Sequence, residues 1–228
     1  MKKILLRGVV ALLAILVTSH YFWKSSGSNE WELKKDEDGI KIWALKTPGS
    51  TAEKYRVNMQ TKSTLSSIVF LLRDSSSAEE VVGAKNHRMF ETIDEPYRFS
   101  SYYSYQVEMP FPYGYRDWVI LFQYTQERAS KILEINIVAT PNKIHPVENL
   151  VRIKHMNNIW RLTPKADGMV DLEANLDMDM EGPLPGFIDM LVMPDVIFSN
   201  FKSIRELLKK EKYKNAKVAY IKELTKEK

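Results

Sequence analysis

Between residues 168 and 180 apolar and polar positions alternate without a break. Val170, Leu172, Ala174, Leu176, Met178 and Met180 share one face; Asp171, Glu173, Asn175, Asp177 and Asp179 share the other. Period-two alternation marks a strand with one buried and one wet face. Tyr55, Val57 and Met59 set against Lys54, Arg56 and Asn58 give a second such strand. Others are predicted at about 88–94, 98–108, 116–127, 131–140 and 150–163, separated by turn-forming clusters such as Asp94-Glu95-Pro96 and Ala166-Asp167-Gly168. Before them, Trp31 to Leu33 is a lead-in, Asp36-Glu37-Asp38-Gly39 a turn, and Ile40 to Leu45 a strand. The period changes at Leu65, Ile68, Val69 and Leu72, which fall on one face of a helix that Ser63 or Thr64 can cap. A second short helix follows near Ala78 to Gly83. Ile197, Phe201, Ile204 and Leu208 line one face of a long final helix. Pro194 suits its first turn, and the tail from Asn215 extends it.

The order is two strands, two short helices, about six consecutive strands and one long amphipathic helix. A long meander curls as it twists, and a helix lying in its concave face gives an α+β helix-grip fold. The inward-facing sets are Phe99, Ser101, Tyr103, Tyr105 and Val107; Arg116, Trp118, Ile120, Phe122 and Tyr124; Leu133, Ile135, Ile137 and Ala139; and Met156, Asn158, Trp160 and Leu162. Aromatics with sparse polar groups suit the wall of a cavity for an amphiphile. They also suit a solid half-buried sheet, so the residues alone leave cavity and core open.

The N-terminus breaks the pattern. Lys2 and Lys3 precede an apolar run from Ile4 to Val17, and Tyr21-Phe22-Trp23 follows. A positive start and an apolar centre read as an export signal or a membrane anchor. Residues 1–27 are taken as that segment, with Ser25 to Asn29 a flexible polar linker, 28–212 as the domain, and 213–228 as a charged helical extension or tail. The domain is then expected outside the cytoplasm, periplasmic or anchored to the inner membrane, as a monomer.

Charge and composition narrow the function. The net charge of +4 comes from Lys2, Lys3, Arg7 and Lys24; basic and acidic residues balance in the rest of the chain. No basic face marks a nucleic-acid partner. The absence of cysteine excludes disulfides, thiolate metal sites and cysteine nucleophiles. His20, His87, His145 and His155 have no metal-ligand spacing, and no nucleophile elbow, P-loop or dinucleotide fingerprint occurs. No metal or cofactor is expected.

Five motifs in order resemble the START family of lipid-binding domains. They are Trp31 with Asp38-Gly39-Ile40-Lys41-Ile42-Trp43; Leu71-Leu72-Arg73-Asp74; Pro110-Phe111-Pro112 with Arg116-Asp117; Val151-Arg152-Ile153 with Trp160; and Asp179 with Gly182-Pro183-Leu184-Pro185. The resemblance spans Trp31 to Lys212 and implies a tunnel for one lipid, sterol-like molecule or related amphiphile, gated by the C-terminal helix and nearby loops. Its walls would be Tyr103, Tyr105, Arg116, Trp118, Ile120, Phe122, Met156, Asn158, Trp160 and Phe201, with the Pro110–Pro112 turn a candidate gate. Choline-headgroup binders of that family use three aromatic positions and an arginine. Tyr105 and Trp118 match two positions, Met156 occupies the third, Ala78 stands at the arginine, and Val81 replaces a marker tryptophan. The resemblance therefore implies noncatalytic binding and transfer of an apolar ligand with an undetermined headgroup. The alternative is a cyclase- or hydrolase-like enzyme of the same superfamily working in that cavity.

Overall fold

The computed structural model describes residues 2–109, 114–181 and 187–224, with the side chains of the first helix described in part. The Pro110–Pro112 turn and the Gly182–Gly186 segment lie outside the described residues. The elements, in chain order, are α1 (Lys2–Ser25), β1 (Trp31–Glu37), β2 (Ile40–Leu45), β3 (Lys54–Lys62), α2 (Leu65–Arg73), α3 (Ser75–Val82), β4 (Lys85–Glu95), β5 (Arg98–Met109), β6 (Gly114–Gln126), β7 (Leu133–Ala139), β8 (Val151–Arg152), β9 (Asn157–Pro164), β10 (Met169–Asp177), α4 (Phe187–Leu207) and α5 (Glu211–Lys214). The strands form one open ten-stranded sheet in the order β1-β2-β3-β10-β9-β7-β6-β5-β4, with β8 parallel to β6. This is the curved antiparallel sheet with a C-terminal helix that the pattern predicts.

Several expectations change in detail. The lead-in at Trp31 is a full strand, so three strands precede the short helices and seven follow. Asp36 and Glu37 belong to β1, and the turn is Asp38-Gly39 alone, with φ of 52° and 71°. Two consecutive positive φ values make the tight hairpin turn that asparagine, aspartate and glycine favour. The strand expected over 150–163 divides into β8 and β9 because Arg152 is drawn into a buried ion pair with Asp117. On edge strand β4 the register shifts twice, near Asn86 and Glu91, both of which have positive φ. Such bulges protect an exposed sheet edge.

Pro194 does not start α4; it lies in its interior. Proline withholds one backbone N–H but leaves φ helical. The apolar residues before it, among them Met193, which is 7% exposed, extend the helix back over the sheet. Ile197, Phe198, Phe201, Ile204, Leu207 and Leu208 are buried, and Phe201 stacks on Trp160 at 5.0 Å. Burial of this face, at about 25 cal/mol per Å² of apolar area, holds α4 in the sheet's concavity.

From 216 to 224, the described part of the tail, the chain is not helical. It returns to the domain, where Glu223 Oε2 and Oε1 accept the Leu65 and Ser66 N–H groups at 2.9 Å each. With the Thr64 hydroxyl accepting from Ser67 N–H, the first three amides of α2 are satisfied. Asp74, between α2 and α3, accepts hydrogen bonds from Lys212, Ser76 and Tyr213. Burial alone would raise its carboxyl; these donors outweigh it and hold it at about 2. A lowered native pKa gives stability that is complete above the unfolded value, near 4, and lost as pH falls toward 2. The stability gap between the parent and Asp74→Asn should therefore be full at about pH 5 and close by about pH 2 in urea titrations. A gap independent of pH would refute that role.

The expected flexible linker is instead seated. Lys46, 8% exposed, donates to the carbonyls of Ser26, Thr47 and Ser50 at 3.3, 3.2 and 2.6 Å. Gly27 has φ of +124°, and a Cβ there would lie 2.4 Å from the Lys46 carbonyl oxygen, so only glycine fits. Trp23 Nε1 donates to Thr51 O at 2.9 Å. These contacts fix the end of α1 to the 46–52 loop. Among the described residues no helix is long and apolar enough to cross a membrane.

Candidate functional site

A cavity of about 440 Å³ lies between the concave face of the sheet, α3 and α4. That falls within the roughly 300–1,000 Å³ span of small-molecule sites. Register builds its aromatic wall. β5 and β6 pair so that Tyr105 faces Trp118, Tyr103 faces Ile120, and Ser101 faces Phe122. Tyr105 stacks on Trp118 at 5.7 Å with 9° between planes. Tyr103 meets Phe122 edge-on at 5.9 Å. His87 reaches the same wall from β4, 5.4 Å from Tyr103 and 6.3 Å from Tyr105. Opposite, the Trp160–Phe201 stack joins sheet to helix.

The structure brings Tyr103, Tyr105, Trp118, Ile120, Phe122, Met156, Asn158, Trp160 and Phe201 together around this cavity. Arg116 is the exception, and its expected place in the wall is corrected. It is buried, with Nε donating to Met180 O at 2.6 Å and Nη2 to Glu181 O at 2.9 Å. The outward ends of β6 and β10 converge there, so the guanidinium satisfies backbone carbonyls instead of facing a ligand. It positions Met180, itself a wall residue.

Next to it, Asp117 and Arg152 form an ion pair at 2.6 Å, with side chains 3% and 6% exposed. Arg152 also donates to the carbonyls of Pro141, Ile144 and His145. Asp117 Oδ2 accepts the Val147 N–H at 3.3 Å. The pair closes the 141–152 loop and seats β8 on β6.

Sequence reasoning missed much of the wall's polar content. Glu53, Tyr55, His87, Glu108 and Asn200 all line the cavity. Tyr55 had a signal, since it alternates inward with Val57 and Met59. His87 had none, because its place depends on β4 joining the sheet edge beside Tyr103. Methionines 109, 156, 178, 180 and 193 also line it and give it adaptable walls.

Burial sets the electrostatics. It lowers the His87 pKa, which Asp74 opposes, so the imidazole is neutral near pH 7. It raises the Tyr103 hydroxyl, opposed by Arg73, and raises the Tyr105 hydroxyl without opposition. Both phenols stay protonated at any physiological pH. Among the described residues Trp160 Nε1 is buried without a hydrogen-bond partner. No Lys or Arg lines the cavity among the described residues. Among the described residues no cluster of His, Asp or Glu could hold a metal ion. His155 pairs with Asp177 at 2.9 Å on the exposed face, away from the cavity.

No protein-family model matches the chain. It is 22% identical over 205 residues to an uncharacterised protein of Pseudomonas aeruginosa, covering 90% of this chain and all of that one. A STAR-related lipid transfer protein of Xanthomonas axonopodis superposes with a TM-score of 0.71 at 23% identity, covering 79% of this chain and 99% of the other. Human StAR-related lipid transfer protein 5 gives 0.66 at 13% identity, with 88% and 96% covered. These likenesses agree with the topology read above: the chain has the helix-grip fold seen in START domains.

Proposed function

We propose that the chain binds one apolar ligand, a lipid or lipid-like amphiphile, noncatalytically in this cavity and holds or transfers it. The carrying observation is a wall of stacked aromatics and methionines enclosing about 440 Å³ beneath α4. Apolar surface withdrawn from water there supplies the binding free energy, at about 25 cal/mol per Å². The START-like architecture, shared with proteins named for lipid transfer, supports the reading. The sequence of α1, positively charged at its start and apolar after it, supports export or tethering with the domain outside the cytoplasm.

Tryptophan emission tests it. Trp118 and Trp160 line the cavity, whereas Trp23, Trp31 and Trp43 do not. A brominated long-chain lipid should quench emission saturably, and the Trp118→Phe, Trp160→Phe double variant should lose that quenching. Equal quenching in parent and double variant would place the lipid elsewhere and sink the proposal.

A further inference from the structure

The end of α1 is built into the domain beside the cavity. Besides the Trp23 bond to Thr51 and the Lys46 bond to Ser26, the Gly49 N–H donates to Lys24 O at 2.7 Å and the Asn29 N–H to Lys46 O at 3.0 Å. The Lys46 ammonium lies 4.9 Å from the Trp23 ring centre. Ala52 alone separates this seat, at Thr51, from Glu53 in the cavity wall. A seated junction fixes orientation as well as distance, which a flexible tether does not.

The direction of α4 brings more apolar surface to the same end. Asp195 meets Lys35 at 2.6 Å, and Lys202 meets Asp38, in the β1–β2 turn, at 2.8 Å. The helix therefore starts at the opposite end of that hairpin, where Trp31 pairs with Leu45, next to Lys46. There Leu191 is 66% exposed and Met190 36%. On α1, Leu6, Val10, Ile15, Val17, Tyr21 and Phe22 are exposed. Apolar side chains gathered at one end of a domain mark an interaction surface. Aromatic residues such as Tyr21 and Phe22 suit the membrane–water boundary, and the apolar helix leaving from this end makes a bilayer the matching partner.

We infer that the chain takes and returns its ligand within the one bilayer that holds α1 and does not carry it to a second membrane. The seat turns the cavity toward that bilayer, so a ligand enters without the domain leaving the surface. A domain on a long flexible linker could turn the same end to a facing membrane; the seated junction prevents it. The inference rests on α1 being membrane-bound and on the cavity holding the ligand.

The test reconstitutes the full-length chain in phosphatidylcholine vesicles. It follows the part of tryptophan quenching that the Trp118→Phe, Trp160→Phe double substitution abolishes. A brominated diacylglycerol is supplied either in the same vesicles or in separate ones. Quenching should develop at least about tenfold faster from the same vesicles, because tethering raises the effective concentration of their lipid. A long-linker variant carries Trp23→Ala and Gly27→Ala to unseat the junction. It also carries about 40 Gly and Ser residues after Ser28, a coil of about 35 Å from end to end. Its two rates should come within about threefold of each other. Parent rates within about threefold of each other would overturn the inference while leaving cavity and anchor in place. A long-linker variant that keeps the parent's gap would overturn it too. Absence of Trp118- and Trp160-dependent quenching from either source would remove the cavity reading, and a chain that does not float with the vesicles would remove the anchor. Either result takes the inference with it.

Discussion

Asp117→Ala should lower the unfolding free energy by about 3–5 kcal/mol, the largest loss expected from a single substitution outside the cavity. The carboxylate receives Arg152 at 2.6 Å, with both side chains nearly sealed from water. Removing it strands a guanidinium in a low-dielectric site. The remaining Arg152 contacts are to carbonyls of 141–145, which carry no neutralising charge. A double substitution, Asp117→Leu with Arg152→Met, should recover much of the loss, because it removes both buried charges together. Urea unfolding of the three proteins measures this. A single-variant loss below about 1 kcal/mol would mean that the pair is solvated and contributes as a surface bridge does.

Ala78→Trp should leave the fold intact and abolish ligand uptake. Ala78 lies on α3 and lines the cavity, so the indole enters existing space instead of overpacking a filled core. Stability should stay within about 1 kcal/mol of the parent or rise, as cavity-filling changes often do. Affinity for a ligand that needs the same volume should fall at least about a hundredfold, since steric exclusion removes most of its buried contacts. The combination of retained stability and lost uptake separates occupation of the cavity from disruption of the domain.

The fold was legible wherever one face of an element is buried. Tyr55, Val57 and Met59 in β3, and Val170, Leu172 and Ala174 in β10, alternate because their opposite face is wet, and both strands lie close to where the alternation puts them. The aromatic wall was legible for the same reason: Tyr103, Tyr105, Trp118 and Trp160 follow from strand parity. Features set by distant chain segments were not legible. Glu223 satisfying the start of α2 joins residues 157 and 158 positions apart, and no local pattern announces it. Arg116 has the right parity for the wall, but the carbonyls of Met180 and Glu181 capture it. Pro194 misled because a helix-starting residue was set against an apolar run before it, and packing on the sheet decided in favour of the run. Glu53 precedes β3, where an acid reads as solvated surface; only the closed fold makes it a wall residue.

The central claim is that one apolar molecule occupies the cavity under α4. Native mass spectrometry of the full-length chain and of Ala78→Trp, each incubated with liposomes and re-isolated, addresses it directly. The account predicts one lipid-sized mass increment per parent chain and none on the variant. A parent chain that stays empty after incubation, or a variant that loads as fully as the parent, would contradict it.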